Sequence, residues 1–110
     1  MVKTIQIPEF VETFNRISST AVEYTFDITK MHQSNIEALE HAGQDILLIE
    51  EDGTQVDEGE VAGIYYSAHN NMFEIQHDKG DIEELNRICL GLVSGEIKIV
   101  DYNQRSLSNQ

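Results

Sequence analysis

The spacing of apolar residues changes several times along the chain, and each change marks a predicted element. Lys3 to Ile7 alternates weakly and reads as a short strand, after which Pro8 suits the first turn of a helix. Phe10, Val11, Phe14 and Ile17 then fall at relative positions 0, 1, 4 and 7, the apolar stripe of an amphipathic helix ending near Ser18. Val22, Tyr24, Phe26 and Ile28 next alternate with Glu23, Thr25 and Asp27, the strongest strand pattern in the chain, with one face expected to be buried.

Ser34 and Glu37 have capping-box spacing, Ile36 and Leu39 form a short apolar stripe, and Gly43 can end that helix in a left-handed conformation. Ile46 to Ile49 reads as a strand buried on both faces, followed by the turn-favouring pair Asp52-Gly53. Val61 to Ala68 and Met72 to His77 read as two further strands joined at Asn70-Asn71, and the three together as a meander. Asp81 with Glu84 three residues on can cap a final helix, whose stripe is Ile82, Leu85, Ile88, Cys89 and Leu92 and whose end is Gly95. Ile97 to Tyr102 supplies a closing strand, and residues 103–110 form a polar tail.

The expected fold class is α+β, with a mixed or antiparallel sheet of about five or six strands and two or three helices. From Ala21 onward the order contains β-α-β-β-α-β with an extra strand, an arrangement compatible with a ferredoxin-like sandwich. At 110 residues, 40% of them apolar, the chain is sized for one domain, read as residues 1–102. No apolar run approaches the roughly 20 residues of a membrane span, and the single cysteine, Cys89, cannot form an internal disulfide. A cytoplasmic location is the default expectation.

Charge changes the picture most. Twenty acids against seven Lys and Arg give a formal net charge of −13, which favours cationic partners and repels nucleic acid and anionic membrane. The acid is also unevenly placed. Between Lys30 and Lys79 lie 48 residues without a Lys or Arg and with eleven acids. Six of these, Glu50, Glu51, Asp52, Asp57, Glu58 and Glu60, crowd one segment whose glycines, Gly53 and Gly59, suggest a turn displaying them to solvent. Glu37, Glu40, Glu74 and Asp78 are candidate neighbours. Carboxylates at such density can match the cations of a protein that normally grips phosphates. The expected function is therefore that of a non-enzymatic acidic binder, in the manner of the small DNA-mimic-like inhibitors that phages and mobile elements direct at host defence proteins. Its partner is a basic protein, including one that binds nucleic acid, and neither a cofactor nor a metal is expected.

A charge run is commonly a solvated face, and halophilic adaptation also enriches acids, although adaptation spreads them over the whole surface. A calcium loop starting at Asp52 fails, because Thr54, Val56 and Asp57 stand where ligands and a glycine are required. His32, His41, His69 and His77 lack zinc-binding spacing, and no nucleophile elbow or phosphate-cradling glycine loop is present. A small enzyme or ligand-binding module with His69 or His77 as acid-base group is the alternative of a different class, and an immunity or accessory protein of a dedicated partner is a third. Of Tyr65 and Tyr66, adjacent on a strand, alternation would turn one outward as a contact anchor, but the favoured expectation is that both rings pack into the core across a bent strand.

Overall fold

The computed structural model describes residues 6–42, 45–56, 60–67 and 69–101. Four antiparallel strands make the main sheet: β1 (Val11–Arg16), β2 (Val22–Asp27), β4 (Val61–Ser67) and β5 (Met72–His77), in the order β1-β2-β5-β4. At its centre, Tyr24 and Phe26 of β2 and Phe73 and Ile75 of β5 are fully buried, while the residues alternating with them stay half-buried on the opposite face. The alternation read from β2 is thus realised residue by residue.

The helix expected over Phe10 to Ser18 is instead β1. A bulge explains the difference: Val11 pairs with Phe26 and Phe14 with Tyr24, although Val11 and Phe14 are three residues apart and the partners only two. The extra residue keeps both side chains on the core face, so a bulged strand carries the three-residue interval of a helix. Ring contacts then favour the strand, with Phe10 edge-on to Phe26 at 5.1 Å and Phe14 to Tyr24 at 5.9 Å between centroids. Pro8 opens a turn rather than a helix, its carbonyl accepting the Val11 amide at 3.0 Å. Of the strand expected at Lys3 to Ile7, Gln6 and Ile7 are not in a strand, and the rest lies outside the described residues.

A single 3₁₀ turn, Ile28–Lys30, leads into α1 (Gln33–His41). His32, not Ser34, is the N-cap, its Nδ1 accepting the Ser34 amide at 3.1 Å. Gly43, the expected stop, lies outside the described residues. The last helix, α2 (Ile82–Ser94), follows the sequence closely: Asp81 accepts the Glu84 amide at 3.0 Å, and Gly95 ends the helix at φ 93°. A Cβ at Gly95 would stand 2.9 Å from the His32 ring, so both the backbone angle and the space require glycine.

The predicted meander does not form. β3 (Ile46–Ile49) pairs antiparallel with β6 (Lys98–Asp101) in a separate two-stranded sheet, while β4 and β5 form a hairpin turning at Asn71, where φ is 59°. Among the described residues, one sheet of five or six strands is therefore corrected to sheets of four and two, and the ferredoxin-like arrangement is not confirmed. Within β3 only Leu48 and Ile49 are buried. What joins the parts is Asn35 on α1, which is 1% exposed. Its amide donates to the carbonyls of Leu92 and Ile97, and its Oδ1 accepts the Ile99 amide, each at 2.9 Å. One buried side chain thus satisfies backbone groups of α2, the following loop and β6.

A single core results. Tyr24, Phe26, Phe73 and Ile75 meet Leu85, Ile88, Cys89 and Leu92 of α2, and Leu39, Leu48 and Ile99 extend the cluster toward the small sheet. The far face of the main sheet presents Glu23, Thr25, Glu74 and Gln76, with no described helix packed on it as on the core face.

Candidate functional site

The acidic segment begins where β3 ends and returns to the main sheet at β4. Its two ends converge on the N-terminal half of α2. Glu50 meets Arg87 bidentately, with guanidinium nitrogens 3.0 and 2.9 Å from its two oxygens. The same guanidinium binds Glu84 at 3.0 and 2.7 Å. Arg87 holds the Glu84 carboxyl below the usual carboxylate range, chiefly through these hydrogen bonds, and its own pKa is raised in return. Glu50 is therefore an internal anchor rather than a free charge.

Asp52 makes the turn. Its Oδ1 accepts the Thr54 amide at 3.0 Å and the Thr54 hydroxyl at 2.6 Å, and these bonds hold its pKa below the ordinary value. Gly53 follows at φ 89°, its amide donating to the Glu50 carbonyl at 2.9 Å. Both Glu51 and Asp52 are exposed at this tip. Asp57, Glu58 and Gly59 lie outside the described residues.

At the other end Glu60 faces Lys79 at 3.4 Å and His77 Nε2 at 3.5 Å. His77 is fully buried, as its place in the inward alternation of β5 dictates. Its Nδ1 accepts the amides of Lys79 and Asp81 at 3.3 and 3.2 Å, which leaves the neutral ring's proton on Nε2, toward Glu60. Asp78 points the other way and is exposed, and its amide donates to the Glu60 carbonyl at 2.6 Å.

The structure thus brings Glu50, Glu60, Asp78, Asp81 and Glu84 to the start of α2, where the positive end of the helix dipole favours carboxylates. The sequence placed the first three of these in the acidic surface and read Asp81 and Glu84 as caps. Glu37 and Glu40 are exposed on α1, an element that packs mainly on β6, and Glu74 lies on the far sheet face opposite Tyr65. Those three belong to other faces.

His69 sits in an exposed turn, and His77 has no solvent access and its lone pair is occupied by backbone amides. His41 lines a surface depression with Glu37 and Asp101, a grouping formed by α1 and β6 that no sequence interval signalled. Among the described residues no group of three or more His, Cys, Asp or Glu is placed to hold a metal. Cys89 is buried and its thiol pKa is pushed up by burial, which disfavours the thiolate a nucleophile needs. Tyr65 is 60% exposed, while Tyr66 turns inward and its hydroxyl donates to the Ala42 carbonyl at 3.2 Å, so only one ring packs. No described helix is long and apolar enough to cross a membrane.

No family model, curated protein or solved structure matches this chain.

Proposed function

We propose that this protein is a non-enzymatic acidic binder that engages and blocks a basic surface of another protein, in the manner of a DNA mimic. The observation that carries this reading is the charge balance around the start of α2. The two cations there, Lys79 and Arg87, are already held by Glu60 and by Glu50 with Glu84. Glu51, Asp52 and Asp78 are exposed and make no ion pair among the described residues. A partner bringing Lys and Arg supplies the missing positive charge, and long-range attraction speeds its approach. Asp57 and Glu58 add to the same segment by sequence.

Glu50 and Glu60 serve to hold the segment, whereas Glu51, Asp57 and Glu58 are the positions to change in a test. The triple charge reversal to Lys should abolish retention of basic host proteins on the immobilised chain without unfolding it. Retention by the unaltered protein should fall steeply with added salt and be competed by duplex DNA. A partner that binds the triple variant at unchanged affinity defeats the proposal.

A further inference from the structure

A second surface lies away from the acidic segment, on the other flank of α2. The buried stripe of α2 is Leu85, Ile88, Cys89 and Leu92, and Leu90 falls outside it, 50% exposed. An exposed leucine alone is unremarkable. This one shares an open groove with Pro8 and Phe10, and Ile7, next in the chain, is 39% exposed. The N-terminal segment is fastened along α2 one turn earlier: Asn86 donates to the Gln6 carbonyl at 2.9 Å and accepts from the buried Tyr24 hydroxyl. Asn86 thus ties the segment just before the groove to the core.

The rim is acidic. Glu9 and Glu12 are exposed beside the groove, and Asp27 is fixed by the Thr29 amide at 2.8 Å and hydroxyl at 2.6 Å. Among the described residues lining it, Lys30 is the one cation. An apolar floor with a carboxylate rim complements a segment that carries both aliphatic and cationic side chains. A second copy of this chain is a poor occupant, since it brings a further formal charge of −13.

We propose that the groove between the N-terminal segment and Leu90 docks a short amphipathic cationic segment of the partner, an aliphatic side chain seating on Phe10 and Leu90 and flanking Lys or Arg meeting Glu9, Glu12 and Asp27. The inference rests on the reading of the protein as a binder of basic partners and adds what that reading lacks, a place where burial supplies affinity while charge steers.

The test uses the full chain and two labelled peptides of equal charge, one alternating Lys with Leu and one alternating Lys with Ser. The Lys/Leu peptide should shift the amide resonances of Glu9, Phe10, Glu12, Lys30 and Leu90. Leu90→Ser should weaken it about tenfold, the expected loss for one leucine's burial, and should leave the Lys/Ser peptide unaffected. Glu9→Lys with Glu12→Lys should weaken both peptides at this site. If the two peptides bind equally and Leu90→Ser changes neither, the groove proposal falls while the acidic-binder reading stands. If neither peptide binds at low salt, both fall. Sedimentation showing a dimer that Leu90→Ser dissociates, or peptide-free shifts in residues 102–110 on that substitution, would replace the partner with a second copy or the chain's own end.

Discussion

In β2 and β5 every second side chain is withdrawn from water, and the buried rings of Phe26 and Phe73 serve only to pack. In the acidic segment the side chains are chemically alike, yet they divide into anchors and exposed charges. Glu50 and Glu60 pair with Arg87 and Lys79, Asp52 shapes its own turn while staying exposed, and Glu51 makes no ion pair among the described residues. The difference teaches that apolar patterning assigns a side chain's role through burial alone, whereas a carboxylate's role depends on which cation the fold delivers to it. A dense acidic run is therefore a smaller free surface than its composition suggests.

The sharpest way to break that comparison is at its apolar side. Phe73→Ala removes a ring that is fully buried and packs 5.4 Å from Phe26, and should cost about 3–5 kcal/mol by urea unfolding. A loss below about 1 kcal/mol would mean that the sheet centre repacks freely and that burial does not fix the role of its rings.

Asn35→Leu comes next, because it tests whether a polar side chain inside the core can be as decisive as an apolar one. It leaves the Ile97 carbonyl and the Ile99 amide without their partner, while the Leu92 carbonyl keeps the His32 amide at 3.0 Å. The expected cost is about 2–4 kcal/mol, with hydrogen exchange accelerating first in β3 and β6. Exchange that accelerates uniformly would show instead that Asn35 does not tie the small sheet to the helices.

The smallest effect belongs to Arg87→Met. The guanidinium is 47% exposed, so its pairs are screened and the loss at neutral pH should be about 1 kcal/mol or less. The lowered Glu84 pKa sets the sign: its contribution is present above the ordinary carboxylate range and is lost as pH falls through the lowered value. The gap in urea midpoint between Arg87→Met and the unaltered protein should therefore close on acidification. A gap of constant size would show that Arg87 stabilises by packing its aliphatic stem, not by pairing.

Most elements could be read from the sequence where the signal is local. The alternation from Val22 to Asp27, the Asp81 cap, the Gly95 stop and the Asn71 turn each depend on neighbours a few residues away, and all appear as expected. The β1 strand escaped because a bulge imitates the helical interval, and it is long-range pairing with β2 that makes the bulged strand the better solution. At the candidate site, the exposed acids at the Asp52-Gly53 tip were legible. The anchoring of Glu50 by Arg87, 37 positions away, was not.

By itself, then, the sequence determined the α+β class, the position of most elements and the acidity concentrated between Lys30 and Lys79, because backbone propensity, side-chain period and formal charge are local properties. Only the tertiary structure decided that β3 leaves its sequence neighbours to pair with β6, that Asn35 joins three parts of the backbone, and that α2 has the acidic segment on one side and, on the other, a groove where Pro8, Phe10 and Leu90 meet acidic residues. Those outcomes depend on which distant surfaces can be buried together with every backbone group satisfied, and that is a property of the whole chain rather than of any window along it.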